Sequence, residues 1–314
     1  MATVYPWGDS RRFNSYIRFS RSHFGKRMQR IAINGGFTCP NRDGQCGTGG
    51  CTFCSNEAFM PAYCNPHKSI TRQIDEGITF FRKPRNEQTG FLAYFQAFTG
   101  TYAPLPVLQA RYEEALRHPA ISGIVISTRP DCLNEALLCY LENLQQHTYV
   151  QLELGIESFQ DRTLARINRG HNVDCTLDAL QRIETHRIPV GGHLIFGLLG
   201  ETPDQWLDEL KIVNRLPLHD LKFHQLQIIR RTRLEEDFRM RPHDYHRFSV
   251  DEYIQFIAQY LSRLSPGIVI ARLASEVSSA CLAETPWQGI KYDTVVQGIE
   301  RELERQNLWQ GKCL

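Results

Sequence analysis

Four cysteines, Cys39, Cys46, Cys51 and Cys54, fall in one glycine-rich stretch, NGGFTCPNRDGQCGTGGCTFC, running from Asn34 to Cys54. Thiols gathered in this way serve as metal ligands, and the number used decides the chemistry. A structural zinc site is tetrahedral and closed, so it would take all four. An iron–sulfur cluster is also held by thiolates. If only three thiolates hold a four-iron cluster, one iron keeps an open position at which a substrate or cofactor can bind and receive an electron. Free thiols in a flexible loop are the plainest alternative. The glycines argue against it, because they let the backbone approach a bound centre, where N–H groups can bond to cluster sulfurs and tune their potential. The spacing C-x6-C-x4-C-x2-C permits either a closed or an open site.

The loop follows a short apolar strand, QRIAIN (Gln29–Asn34), and further runs of this kind recur along the chain. They are GFLAYFQAFTGT, SGIVISTRPD, YVQLELGIES, IPVGGHLIFGLLG and HDLKFHQLQII. Between them lie helical patterns of ten or more residues, which reads as βα units on a parallel sheet. Runs such as IVIS and HLIFGLL predict strand cores apolar on both faces. Thr202, Pro203 and Gln205 predict a capped helix start, followed by an apolar stripe at Trp206, Leu207, Leu210 and Val213. No G-x-G-x-x-G follows the first strand and no G-x-x-x-x-G-K-[ST] occurs, so six βα units suggest a barrel or partial barrel. Chemistry then lies beyond the carboxyl ends of the strands. Polar residues there are Gln96, Thr99, Ser127, Arg129, Glu157, His193 and His224. Beyond residue 233, SVDEYIQFIAQYLSRL and TVVQGIERELERQ predict helices, and GIVIARL (Gly267–Leu273) a further strand.

The 314 residues carry a net charge of +2, with 42% hydrophobic and 22% charged side chains. No long-range field announces a polyanionic partner. No apolar run approaches the roughly 20 residues that cross a bilayer, and the start has no signal-peptide pattern. A cytoplasmic protein is expected, with no membrane association. The other six cysteines are scattered, as small buried hydrophobes are. The densest basic stretch, Arg230–Arg247, is interrupted by acidic residues and reads as a solvated face.

With these motifs in hand, the chain resembles the radical S-adenosylmethionine (SAM) superfamily, in its YhcC/YtqA-like branch with an Elongator-type core. The resemblance rests on the cysteine loop with GGCTFC, on YFQAFTGTYA, STRPDCL, LELGIESFQDRTLARINRGH, HLIFGLLGET and LKFHQLQI, in that order, and it covers nearly the whole chain. It implies an α/β fold, a partial (β/α)6 TIM-type barrel with a small C-terminal extension. Residues 1–28 would be an N-terminal extension, 29–232 the core barrel, and 233–314 an α/β extension packing on it. It also implies a 4Fe-4S cluster on Cys39, Cys51 and Cys54, with Phe53 as the aromatic between the last two and Cys46 outside the pattern.

The resemblance further implies that SAM chelates the open iron and is cleaved by one electron to a 5′-deoxyadenosyl radical, with an external donor of flavodoxin or ferredoxin type. By position, Thr99, Ser127, Glu157, Arg169 and His193 are the SAM-contacting candidates. The turn that is glycine-rich in relatives stands here as Gln96-Ala97-Phe98-Thr99. Each candidate also has a structural reading, such as an ion pair for Arg169 or an interior hydrogen bond for His193. An RNA substrate, a tRNA base in particular, follows from the Elongator-type likeness; the Arg230–Arg247 stretch and the aromatics Trp287 and Tyr292 are the candidate contacts. Residues 233–314 are too short for the acetyltransferase domain of those relatives. The rival from another class is a zinc-stabilised four-cysteine module that binds nucleic acid or protein without redox chemistry.

Overall fold

The computed structural model describes residues 3–81, 89–284 and 286–314. Seven strands form one parallel sheet in chain order. They are β1 (Arg27–Ile33), β2 (Thr89–Phe95), β3 (Ile121–Thr128), β4 (Tyr149–Glu157), β5 (Val190–Phe196), β6 (Asp220–Gln225) and β7 (Val269–Arg272). The six expected strands are present, and GIVIARL supplies the seventh, paired to β6. β1 and β7 are the two edges, so the curled sheet is an open half-barrel. Helices Leu105–Leu116, Glu135–Leu144, Val173–Thr185 and Pro203–Val213 cover its outside. Thr202 and Gln205 form the expected capping box.

The two-residue period of β4 shows how the sheet is divided. Val150, Leu152, Leu154 and Ile156 join the main apolar core on the helix side. Gln151, Glu153, Gly155 and Glu157, the alternate residues, turn to the barrel interior. The inward face therefore differs from the expectation of strands apolar on both sides, because its middle level is charged. Glu153 accepts from Arg30 of β1 and from Lys222 Nζ of β6 at 2.7 Å, and pairs with His193 Nε2 of β5 at 3.2 Å. Below this level, Met28, Leu92 and Val125 make an apolar plug. The helix Tyr16–Phe24 stoppers that end, with Phe19 4.5 Å from the His219 ring and Phe24 5.0 Å from Tyr149.

Residues before β1 cover the free edge of β7. Ile270 N donates to Asn14 O at 2.7 Å, and Asn14 N donates to Gln310 Oε1 at 2.9 Å. Among the helices unread in the sequence are Tyr16–Phe24 and Ile70–Phe81. The second carries a legible signal, since Ile70, Ile74 and Ile78 recur every fourth residue and are buried. Within the basic stretch, Arg233–Met240 is a helix whose acids neutralise its cations. Arg239 pairs with Glu235 at 2.7 Å, and Arg241 with Asp237.

Glu209, on the helix Pro203–Val213, accepts from Gln160 Nε2 at 2.8 Å, and burial pushes its carboxyl up to about 7. A raised pKa means the folded state holds the proton more tightly than the unfolded chain. Its stabilising contribution is complete below the ordinary glutamate value and is lost as pH rises through about 7. Glu209→Gln should therefore raise the melting temperature by a few degrees in mildly alkaline buffer and leave it unchanged in acid, as calorimetry across pH would show.

Candidate active site

The cysteine loop leaves the carboxyl end of β1 and is fixed by its own backbone. Arg42 N and Asp43 N donate to Cys39 O at 2.8 and 3.2 Å, Cys54 N to Cys51 O at 3.1 Å, and Gly50 N to Asn41 O at 2.8 Å. It is then pinned to the segment after β4. Thr52 N donates to Ile167 O at 2.9 Å, and Asn168 Nδ2 to Gly50 O at 2.8 Å. The result places Cys39, Cys51 and Cys54 on one cavity at the carboxyl ends of the strands. Cys46 is exposed and does not line it.

Three polar side chains face the sulfurs. Arg169 Nη1 donates to Cys51 Sγ at 3.6 Å, Asn41 Nδ2 to the same sulfur at 3.7 Å, and Asn56 Nδ2 to Cys54 Sγ at 3.7 Å. Burial, and then the neighbouring Cys51, push the Cys54 thiol up to about 11, so metal binding there must displace a proton. Cys46 therefore stands apart from the three thiols that share the cavity, and a closed four-cysteine zinc site would need it to turn inward. A four-iron cluster held by three thiolates needs only the cysteines that line the cavity.

The five other candidates, Thr99, Ser127, Glu157, Arg169 and His193, all line the same cavity. Arg169 is the best fixed, donating to Gly155 O at 2.6 Å and standing 3.6 Å from Glu157. Its Nε, Thr99 Oγ1 and Asn41 Oδ1 are buried without a partner. The His193 ring lines the cavity while Glu153 holds its Nε2. Phe98, in the turn without glycines, adopts φ 58°, a left-handed backbone that costs a non-glycine residue about 1–2 kcal/mol. Asn56 Oδ1 accepts from Phe98 N at 3.0 Å and helps hold it there. Arg129 and Asp131 form a bidentate pair at 2.8 and 2.7 Å. The aromatics considered for RNA are engaged in packing, since Trp287 Nε1 donates to Phe248 O at 2.9 Å and Tyr292 Oη accepts from Leu273 N at 3.3 Å.

Comparison with known proteins now decides the family. The Radical SAM superfamily model matches residues 39–213, and the Radical_SAM C-terminal domain model matches 219–305. The chain belongs to the radical SAM superfamily. It is 32% identical to the protein YtqA of Bacillus subtilis (strain 168), over 98% of this chain and 95% of that one. It is 23% identical to a tRNA uridine(34) acetyltransferase of Dehalococcoides mccartyi, over 74% of this chain and 49% of that one. Among solved structures, the archaeal Elp3 of Methanocaldococcus infernus superposes with a TM-score of 0.65 at 15% identity, over 91% of this chain and 64% of that one. That likeness is one of fold.

Radical SAM proteins use a 4Fe-4S cluster and SAM, and the residues here fit both. The sulfurs of Cys51 and Cys54 have amide and guanidinium donors against them, and the buried unpartnered atoms of Arg169 and Thr99 belong to residues on the cavity wall. Asn41, Asn56, Lys222 and Arg272 also line or support the site but were not singled out from the sequence. Lys222 had a signal, being a charged residue inside an apolar strand. The asparagines had none, because their roles depend on how the loop folds back. Gly155 admits the Arg169 side chain, and a Cβ there would stand 2.5 Å from Arg169 Nη2 and from Glu157 Oε1. Gly155→Ala should displace Arg169 and cost about 1–3 kcal/mol, read as a lower denaturant midpoint.

Proposed function

We propose that this chain is a radical SAM enzyme that holds its cluster with Cys39, Cys51 and Cys54, binds SAM against Thr99, Ser127, Glu157, Arg169 and His193, and acts on a base of RNA. One observation carries the reading. Three thiols open into the cavity that all five of those side chains line, while Cys46 stays outside it. When bound, the cluster and SAM supply a one-electron cleavage of a sulfur–carbon bond that releases a 5′-deoxyadenosyl radical for hydrogen abstraction.

The protein's part is binding, orientation and exclusion of side reactions. Arg169 would neutralise thiolate charge at Cys51 and offer its free Nε to a carboxylate. Thr99 Oγ1, buried and unpartnered, would serve a second polar group of SAM. Asn41 and Asn56 would hold the sulfurs in place. The family's electron donor would be a small flavodoxin or ferredoxin type protein, in the cytoplasm. Among the described residues no helix is long and apolar enough to cross a membrane.

The RNA substrate is supported by the relative named for tRNA uridine 34 and by the open side of the barrel. Arg11, Arg27, Arg30, Lys222 and Arg272 line that side with Glu276 and Asp293; Arg11 is paired with Glu300, and Arg30 and Lys222 share Glu153.

Anaerobic preparation tests the cofactor reading. The wild type should be brown, carry roughly four irons and release 5′-deoxyadenosine from SAM on reduction. Cys39→Ala, Cys51→Ala and Cys54→Ala should each lose the iron, whereas Cys46→Ala keeps it. A colourless protein with stoichiometric zinc eliminates the proposal. For the substrate, binding of a tRNA transcript should weaken steeply with salt; salt-insensitive or absent binding removes RNA from the reading.

A further inference from the structure

The cavity that holds the cysteines also carries two cations, Lys222 and Arg272, that are not among the five residues proposed to bind SAM. Lys222 Nζ lies inside the barrel, 2.7 Å from Glu153, 3.3 Å from Tyr94 Oη and 4.7 Å from the centre of the Tyr94 ring. Arg272, the last residue of β7, is exposed, and among the described residues no hydrogen bond or ion pair is found for its side chain. Both residues line the cysteine cavity, and both also line the open side of the barrel between β1 and β7. Tyr94 and Gln96 are shared in the same way, so the two spaces meet at these residues.

The charge at the junction is positive. One buried carboxylate, Glu153, is set against both Arg30 and Lys222, and Arg272 adds a further cation. The acid shared by the two spaces, Glu276, is exposed at the rim. Near Lys222 on the same strand, His224 shares a hydrogen bond between its Nδ1 and Ser275 Oγ at 2.6 Å, while its Nε2 is buried without a partner. Buried polar atoms are nearly always partnered, so an orphan in a cavity wall points to a ligand.

We propose that Lys222 and Arg272 form the substrate subsite and take an oxyanion of the substrate, a phosphate or a carboxylate, admitted through the gap between β1 and β7. The inference rests on the radical SAM reading of the cavity and not on RNA as the substrate. Arginine offers a planar fork to an oxyanion, and lysine a point charge. Placed between the cluster loop and the gap, the pair would anchor a charged substrate group while its reacting carbon lies toward the cysteines.

The protonation of Lys222 follows from what faces it. Burial lowers the ammonium to about 7 against the pull of Glu153 on β4, with Arg30 on β1 and Arg272 on β7 opposing the charge. Tyr94 on β2, His193 on β5 and His224 complete the surroundings. Oxyanion binding should accordingly weaken as pH rises through about 7.

The test uses cluster-loaded enzyme saturated with SAM, titrated calorimetrically with inorganic phosphate, uridine 5′-monophosphate and acetate, with iron measured in every sample. At least one probe should bind once per chain, and Arg272→Ala should weaken it by about tenfold or more, while Arg272→Lys retains most of the affinity. Lys222→Met should weaken it similarly and remove the pH dependence. Tighter binding of the nucleotide than of phosphate supports a nucleotide phosphate as the source, and tighter binding of acetate supports a carboxylate. Absence of binding by all three probes, or an unchanged affinity in Arg272→Ala with iron intact, overturns the subsite. Absence of iron in the wild type instead sinks the cofactor reading beneath it.

Discussion

A single buried carboxylate organises the interior. Glu153 sits on β4, at the middle of the sheet, and is held by Arg30 from one edge strand, by Lys222 from β6 and by His193 from β5. Burial alone would raise its pKa, but Arg30 and then Lys222 outweigh burial and hold the carboxyl well below the usual range. Such a group is costly unless matched. Stripping one partner from a buried ion pair typically loses about 3–5 kcal/mol. Because its partners come from strands far apart in the sheet, the carboxylate draws the open half-barrel together across its hollow. The apolar plug of Met28, Leu92 and Val125 fills the space on one side of this level. The other side is left for the cavity, which makes the charged layer a floor.

Above that floor, the site depends on a backbone that returns to the sheet. The cysteine loop is stitched to the segment after β4 through Thr52, Asn168 and Asn41. Arg169 leaves the same segment and reaches both Cys51 and the carbonyl of Gly155. One guanidinium thus links the loop with three thiols to the strand with the buried carboxylate. Gly155 is the enabling residue, since a side chain at that point would occupy the guanidinium's place. Sulfur spacing, hydrogen bonding to sulfur and the cavity wall are consequences of the same folding-back.

The turn after β2, Gln96-Ala97-Phe98-Thr99, contains no glycine, yet Phe98 takes the left-handed backbone that glycine would adopt without cost. Asn56 compensates by accepting from the Phe98 amide, and the Arg42 guanidinium lies 5.7 Å over the ring. Backbone strain of this kind persists only where surrounding structure enforces it. Here it stands directly beside the cysteines.

The sequence by itself determined the parallel α/β sheet and the loop that gathers four cysteines, and its resemblance pointed to the family. Those features are written in local patterns: apolar runs of strand length, a legible helix cap at Thr202, and C-x-aromatic-C after a glycine-rich stretch. It also singled out Thr99, Ser127, Glu157, Arg169 and His193, and the fold brings all five to one cavity, with His193 inside β5 and not at its end. Only the tertiary structure decided that Cys46 stands outside that cavity, because four cysteines in one loop look alike until the loop folds back. It alone revealed that the barrel's inner face is charged, that Asn41 and Asn56 serve sulfurs, and that Lys222 and Arg272 meet at the open side. These facts depend on contacts between strands separated by many tens of residues, and a period-2 pattern does not say which inward residues will face each other across a curled sheet.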